Sequence, residues 1–154
     1  TFRRDYLGST STPAVVMERL FPPAYDIDVL AQDGRVLRAM PRRRVNPAGT
    51  PFAGSILSPS NSLFDLAEKI TSALNLSWLY DYDIMTNAQG APVPIEINPR
   101  PSGSIAAAIL AGEPFYDDLL AMINGETLSP KRVTKEVMVL PFTDCVVLPH
   151  SRAT

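Results

Sequence analysis

Between Pro94 and Ser104 the chain reads Pro-Ile-Glu-Ile-Asn-Pro-Arg-Pro-Ser-Gly-Ser. A carboxylate, a carboxamide and a guanidinium fall at every second position. On an extended strand alternate side chains share a face. Glu96 and Asn98 are therefore expected to project together, with Arg100 following if the chain stays extended through Pro99. Val93, Ile95 and Ile97 are expected on the opposite, apolar face. Oxygen donors beside an arginine fork suit a site for a hard divalent cation and a polyphosphate. Magnesium takes oxygen ligands and shares them with nucleotide phosphates, and a guanidinium matches phosphate geometry.

A second acidic stretch lies just upstream. Asp81 and Asp83 share one face of the strand expected over Ser77–Met85. The turn Thr86–Gly90 joins it to Val93–Asn98, so the two strands should form a hairpin. Carboxylates from adjacent strands then converge across a gap of about 5 Å. Unpaired, they repel, and a divalent ion removes that repulsion. By itself Asp81 reads as a solvated strand residue, and Trp78, Tyr80 and Tyr82 read as one core-packed face.

The remaining elements must position this hairpin. Ala14–Leu20 is apolar apart from Glu18 and predicts a buried strand broken by Pro22-Pro23. Glu18 reads either as a site residue or as a partner of Arg38. Tyr25–Ala31 alternates and predicts a second strand. Gln32-Asp33-Gly34 supplies a tight turn, and Arg35–Val45 the returning strand. Within it, Arg42–Arg44 reads as a partly solvated basic run. Asn46–Ser60 is rich in Pro, Gly and Ser and reads as a loop. Leu63, Leu66, Ala67, Ile70, Ala73 and Leu74 predict an amphipathic helix to about Asn75, capped by Ser62 with Asp65 in its first turn. Short helices are expected over Ser104–Leu110 and Phe115–Asn124, and a last strand over Val133–Phe142. This order predicts an α+β fold, a mostly antiparallel sheet with helices packed on one face.

Bulk properties narrow the function. The chain has 154 residues, 45% hydrophobic and 19% charged, with a net charge of −2. That balance is globular and gives no basic field for nucleic acid. No apolar run is long enough for a bilayer. One cysteine, Cys145, and one histidine, His150, rule out a disulfide framework and speak against a Cys/His zinc site. The lone histidine also leaves no Ser/His/Asp triad. A reduced, cytoplasmic setting is the expectation.

The Glu-x-Asn-Pro-Arg run with its Pro-Ser-Gly-Ser tail resembles the metal-binding segment of the ATP-grasp superfamily, in its carbamoyl-phosphate-synthase-like form. Val16–Leu20 followed by Tyr25–Val29 resembles the hinge strand and the acidic strand after it, and Ala39–Arg44 the basic strand beyond the turn. Ser102–Glu126 resembles the paired helices after the metal strand. The likeness runs from about Val15 to Glu126. It implies an ATP- and magnesium-dependent ligase (manganese being the alternative ion) acting on a small-molecule carboxylate through an acyl phosphate. Asp83, Glu96 and Asn98 would hold the metal, and Arg100 would contact a phosphate or the acyl phosphate. Glu18 and the main chain at Leu20 would line the adenine pocket, and Arg3 would end a phosphate-covering loop. Ala24 stands where the family has an acidic residue for the ribose, with Asp26 the nearest substitute.

The resemblance also implies a partner lobe. The family's N-terminal lobe supplies a lysine and a glycine-rich loop, whereas Lys69, Lys131 and Lys135 are misplaced for that role. Residues 1–13 are thus expected to be the tail of such a lobe, 14–126 a C-terminal ATP-grasp subdomain, and 127–154 a closing strand and tail. Two readings follow: part of a longer ligase, or a non-catalytic nucleotide-binding or scaffold module. An apolar face left by a missing lobe would favour homo-oligomers.

Overall fold

The computed structural model describes residues 15–45, 54–134 and 136–141. Arg3, Cys145, His150, most of the Pro/Gly/Ser-rich stretch and the end of the expected last strand lie outside them. The elements, in chain order, are β1 (Phe21–Gln32), β2 (Arg35–Arg44), β3 (Ser55–Leu57), α1 (Asn61–Ala73), β4 (Trp78–Thr86) and β5 (Pro92–Asn98). They are followed by α2 (Ala106–Leu110), α3 (Phe115–Ile123), β6 (Lys131–Arg132) and β7 (Val137–Val139). A seven-stranded sheet runs β5-β4-β1-β2-β3-β7, with β6 on β2. Every described pairing is antiparallel except β2 with β6. The α+β fold with a mostly antiparallel sheet is as expected.

The two longest strands hold the centre. Asp33 and Gly34 both take positive φ, 48° and 76°, which closes β1 onto β2 in the tight turn their types predict. Gly34 also docks the turn on the end of α1, donating to the Leu76 carbonyl at 2.9 Å. A side chain there would meet Asn75 Oδ1 at 3.0 Å. A register shift between Leu30 and Ala31 then offsets the ladder, so that Asp26 faces Arg42 and Asp28 faces Met40.

Because strand residues alternate, the central strands carry two different faces. One contributes Ile27, Val29 and Tyr82, all fully buried. Helix α1 covers this face, burying Leu63, Phe64, Ala67 and Thr71 at helical spacing. Thr71 hydrogen-bonds the Tyr82 hydroxyl at 2.9 Å. The other face carries Asp26, Asp28, Arg38 and Arg42. Here the short helices α2 and α3 sit over the sheet: Arg42 donates to the Ser104 carbonyl at 3.2 Å, and Arg38 pairs with Asp118 of α3 at 2.6 Å. The long helix and the two short ones thus lie on opposite faces, not together on one face as expected.

Several local expectations give way. Residues 15–20 form no strand, and Val15, Val16 and Met17 are well exposed. The regular strand begins at Phe21 and runs through Pro22-Pro23 instead of breaking there. Ser55–Leu57, expected as loop, pairs with the end of β2. Helix α1 starts two residues earlier than predicted, with Ser60 at its cap and no side-chain cap bond, so Asp65 lies beyond the first turn. Asp65 instead faces Arg132 at 3.7 Å. Of the three aromatics on β4, Tyr82 is buried and Tyr80 partly so, but Trp78 is 54% exposed.

Candidate functional site

The β4–β5 hairpin forms in the expected register. Asp83 lies opposite Glu96, and Asp81 opposite Asn98. On the other side of β4, Asp83 faces Asp26 and Asp81 faces Asp28 of β1. Four carboxylates, Glu96 and Asn98 therefore sit on three adjacent strands with one facing. A cavity of about 300 Å³ opens over them, lined by residues including Asp81, Asp83, Glu96, Asn98 and Arg100.

One part of the expected alternation fails. β5 carries an extra residue: Glu96 pairs with Asp83, but Pro94 pairs with Ile84, which leaves Ile95 as a bulge. Ile95 is 51% exposed rather than packed. Val93 pairs with Met85, two residues from Asp83, so it falls on the acidic facing rather than beneath it. Only Ile97, opposite the buried Tyr82, meets the apolar expectation.

The charges are organised by two arginines of β2. Arg44 donates from Nε to Asp26 at 3.0 and 3.2 Å, and from Nη2 to Asp83 at 2.6 Å. A further Nη2 bond reaches Asp26. Arg42 is fully buried. It donates to Asp28 Oδ2 at 2.6 Å, to Ser102 Oγ at 2.7 Å and to Ser104 Oγ at 2.6 Å. Asp28 Oδ1 in turn accepts the Ser102 N–H at 3.2 Å. This network ties the Pro-Ser-Gly-Ser loop, and Arg100 just ahead of it, to the centre of the sheet. The basic run is partly solvated, as expected: Arg43 is exposed, Arg44 half-buried and Arg42 buried.

Asp81, expected to be solvated, is 5% exposed. Among the described residues its Oδ1 has no hydrogen-bond partner, and its Oδ2 lies 3.9 Å from Arg100 Nη1. Burial, then the neighbouring Asp28, Asp26 and Asp83 charges, push its pKa up to about 7. Burial and the contact with Asp26 likewise raise Asp83 to about 6, against the pull of Arg44. Burial also raises Asp28, with Arg42 opposing. Hydrogen bonding to Asp26 raises Arg44, which fixes it as a cation.

The donor set suits a hard cation. Oxygens of Asp26, Asp81 and Asp83 all lie within 4.8 Å of one another. Glu96 and Asn98 add two more oxygen donors across the hairpin, and the buried Asp81 Oδ1 lacks a partner. Such an all-oxygen set matches magnesium or manganese rather than a soft metal. Arg44 already compensates Asp26 and Asp83 in part, so the uncompensated charge lies towards Asp81 and Glu96.

The other predicted residues are placed differently. Arg100 is exposed, lines the cavity, and donates to the Pro101 carbonyl at 2.9 Å. Asp26 is buried with both oxygens in the Arg44 fork, and it lines the same cavity. Glu18 is exposed and Leu20 partly buried, both in the irregular segment before β1 and outside the cavity lining. Glu18 does not pair with Arg38, which is held by Asp118.

Residue types alone do not mark Asp28, Arg42, Arg44, Ser102 and Ser104 as site residues, and they put Asp81 on the acidic face without its burial. Asp26/Asp28 and Arg42/Arg44 alternate in the sequence, and that alternation was the available signal. The offset at Leu30/Ala31 hid which acid meets which base: counted straight back from the Asp-Gly turn, Asp26 would face Pro41.

An antiparallel sheet carrying an acidic hairpin, a Glu-x-Asn-Pro-Arg strand and paired helices after it defines an ATP-grasp fold. The chain belongs to the ATP-grasp family described as acting in the biosynthetic pathway with the Ter operon, whose model matches residues 10–145. Among solved structures it is similar to N5-carboxyaminoimidazole synthetase from Staphylococcus aureus, at 14% identity and a TM-score of 0.54, covering 79% of this chain and 33% of that one. It is similarly close to the ADP complex of a purK N5-carboxyaminoimidazole ribonucleotide synthetase, at 18% identity and a TM-score of 0.55, covering 78% of this chain and 34% of that one. The chain thus spans about a third of the length of these structures. No curated protein sequence matches it. Among the described residues, no helix is long and apolar enough to cross a membrane.

Proposed function

We propose that this chain is the metal- and phosphate-binding portion of an ATP-dependent ligase that activates a small carboxylate substrate. The carboxylate attacks the γ-phosphate of ATP, ADP leaves, and an amine or similar nucleophile displaces phosphate from the acyl phosphate. Asp83, Glu96 and Asn98 hold magnesium, and Arg100 meets a transferring phosphoryl oxygen with its fork. When bound, the ion supplies charge neutralisation at the phosphate oxygens. Arg44 holds Asp26 and Asp83 in place, and Arg42 holds the loop beyond Arg100. Glu18 and the main chain at Leu20 are the adenine contacts. The segment that carries Glu18 is exposed, which leaves it free for such a contact.

The observation that carries this reading is the hairpin register, Asp83 against Glu96 and Asp81 against Asn98, beneath a cavity reached by Arg100. The test is Glu96→Ala in the full-length protein. Metal-dependent nucleotide binding and ATP turnover should fall together, by 10-fold or more. Unchanged turnover would refute the assignment.

A further inference from the structure

Asp81 is the buried carboxylate of this cluster whose charge the protein leaves least compensated. It is 5% exposed and lines the cavity, and its Oδ1 has no hydrogen-bond partner among the described residues. The nearby cations are committed elsewhere. Arg42 is spent on Asp28, Ser102 and Ser104, and Arg44 on Asp26 and Asp83. Arg100 approaches Asp81 Oδ2 only to 3.9 Å, beyond hydrogen-bond range, and its own side chain is 59% exposed. A carboxylate held out of water without a partner is costly unless something supplies the missing charge.

We propose that Asp81 is an additional ligand of the divalent cation at this site, completing an oxygen set with Asp83, Glu96 and Asn98. The proposal rests on the reading of the hairpin as a cation site and adds a residue to it. Strand pairing supports it: Asp81 lies directly across from Asn98, as Asp83 does from Glu96, so the four form two facing pairs on neighbouring strands. The Asp81 oxygen also lies within 4.8 Å of those of Asp26 and Asp83, a spacing a single small ion can span.

The experiment is Mn²⁺ binding to the full-length protein, followed by electron paramagnetic resonance with and without ADP. Four proteins are compared: wild type, Asp81→Asn, Glu96→Gln and the surface control Asp65→Asn. Asp81→Asn should weaken Mn²⁺ at least 10-fold, as Glu96→Gln does, while Asp65→Asn binds as wild type. Asp81→Cys should shift preference from Mn²⁺ towards Cd²⁺, because a thiolate ligand is soft. That shift is not expected of a residue with a purely structural role. If Asp81→Asn keeps wild-type Mn²⁺ affinity while Glu96→Gln loses it, Asp81 is not a ligand and the cation site stands without it. If Asp81→Asn loses only ADP affinity, it serves Arg100 instead, and the proposal fails. If wild type binds no Mn²⁺ with or without ADP, both the proposal and the reading beneath it fail.

Discussion

Arg42 and Asp28 form a fully buried ion pair at 2.6 Å whose removal can be worked through in detail. Arg42→Met takes the guanidinium away and leaves the Asp28 carboxylate with one N–H, from Ser102 at 3.2 Å. The Ser102 and Ser104 hydroxyls lose their donor as well. Breaking one side of a buried pair costs about 3–5 kcal/mol. Asp28→Leu strands the Arg42 charge instead, and Asp26, 3.9 Å from Arg42 Nη1, compensates it only in part. Its cost should fall at the lower end of that range. Replacing both partners removes both stranded charges. What remains is the loss to the Ser102 and Ser104 hydroxyls and to the Ser102 N–H, roughly 1 kcal/mol each. The double variant should therefore be destabilised by about 3 kcal/mol, although the two single costs add to roughly 6–10. Urea unfolding of all four proteins measures the cycle. If the single losses simply add, the pair is not the coupled unit described here.

Three other outcomes follow from the site. Asp81→Asn should stabilise the metal-free protein at alkaline pH. A carboxyl raised from 3.8 to about 7 contributes stability below its unfolded pKa and loses it as pH rises through 7. The advantage of the asparagine should therefore be near zero at pH 4 and grow to at most about 4 kcal/mol above pH 8, at 1.36 kcal/mol per unit; a difference that ignores pH would refute this. ADP with Mg²⁺ at 100 times the dissociation constant should add about 2.7 kcal/mol. In a thermal melt that is roughly 5–10 °C, abolished by EDTA, and an EDTA-insensitive shift would argue against a shared cation. Phe115→Ala, emptying a buried position beneath α3, should cost about 3–5 kcal/mol in urea unfolding, and a loss under 1 would mean the short helices contribute little to the core.

Much of this protein could be read from its residues, and the failures share a cause. The β1–β2 turn, helix α1 and the β4–β5 hairpin each follow from local chemistry: Asp33-Gly34, a 3.6-residue apolar stripe and alternating side chains. The facing of Glu96 and Asn98 towards Asp81 and Asp83 followed from the same rule. Two single-residue offsets were not legible. The shift at Leu30/Ala31 determines that Arg42 meets Asp28 and Arg44 meets Asp26, and the Ile95 bulge moves Val93 to the acidic facing. Alternation fixes facing only while the ladder stays regular, and nothing in the residue types announces where it slips. Burial was the other blind spot. Asp81 looks like any strand aspartate until β1 on one side and β5 on the other close over it.

The bulge at Ile95 separates two halves of one hairpin. Between Thr86 and Ile84 the strands keep the register that starts at the turn; from Asp83 onward the register is offset by one residue. Ile95 works as a slack link between them. A turn that gained or lost a residue could take up the change by opening or closing that link. The oxygens of Glu96 and Asp83, the next pair along, would then keep their facing.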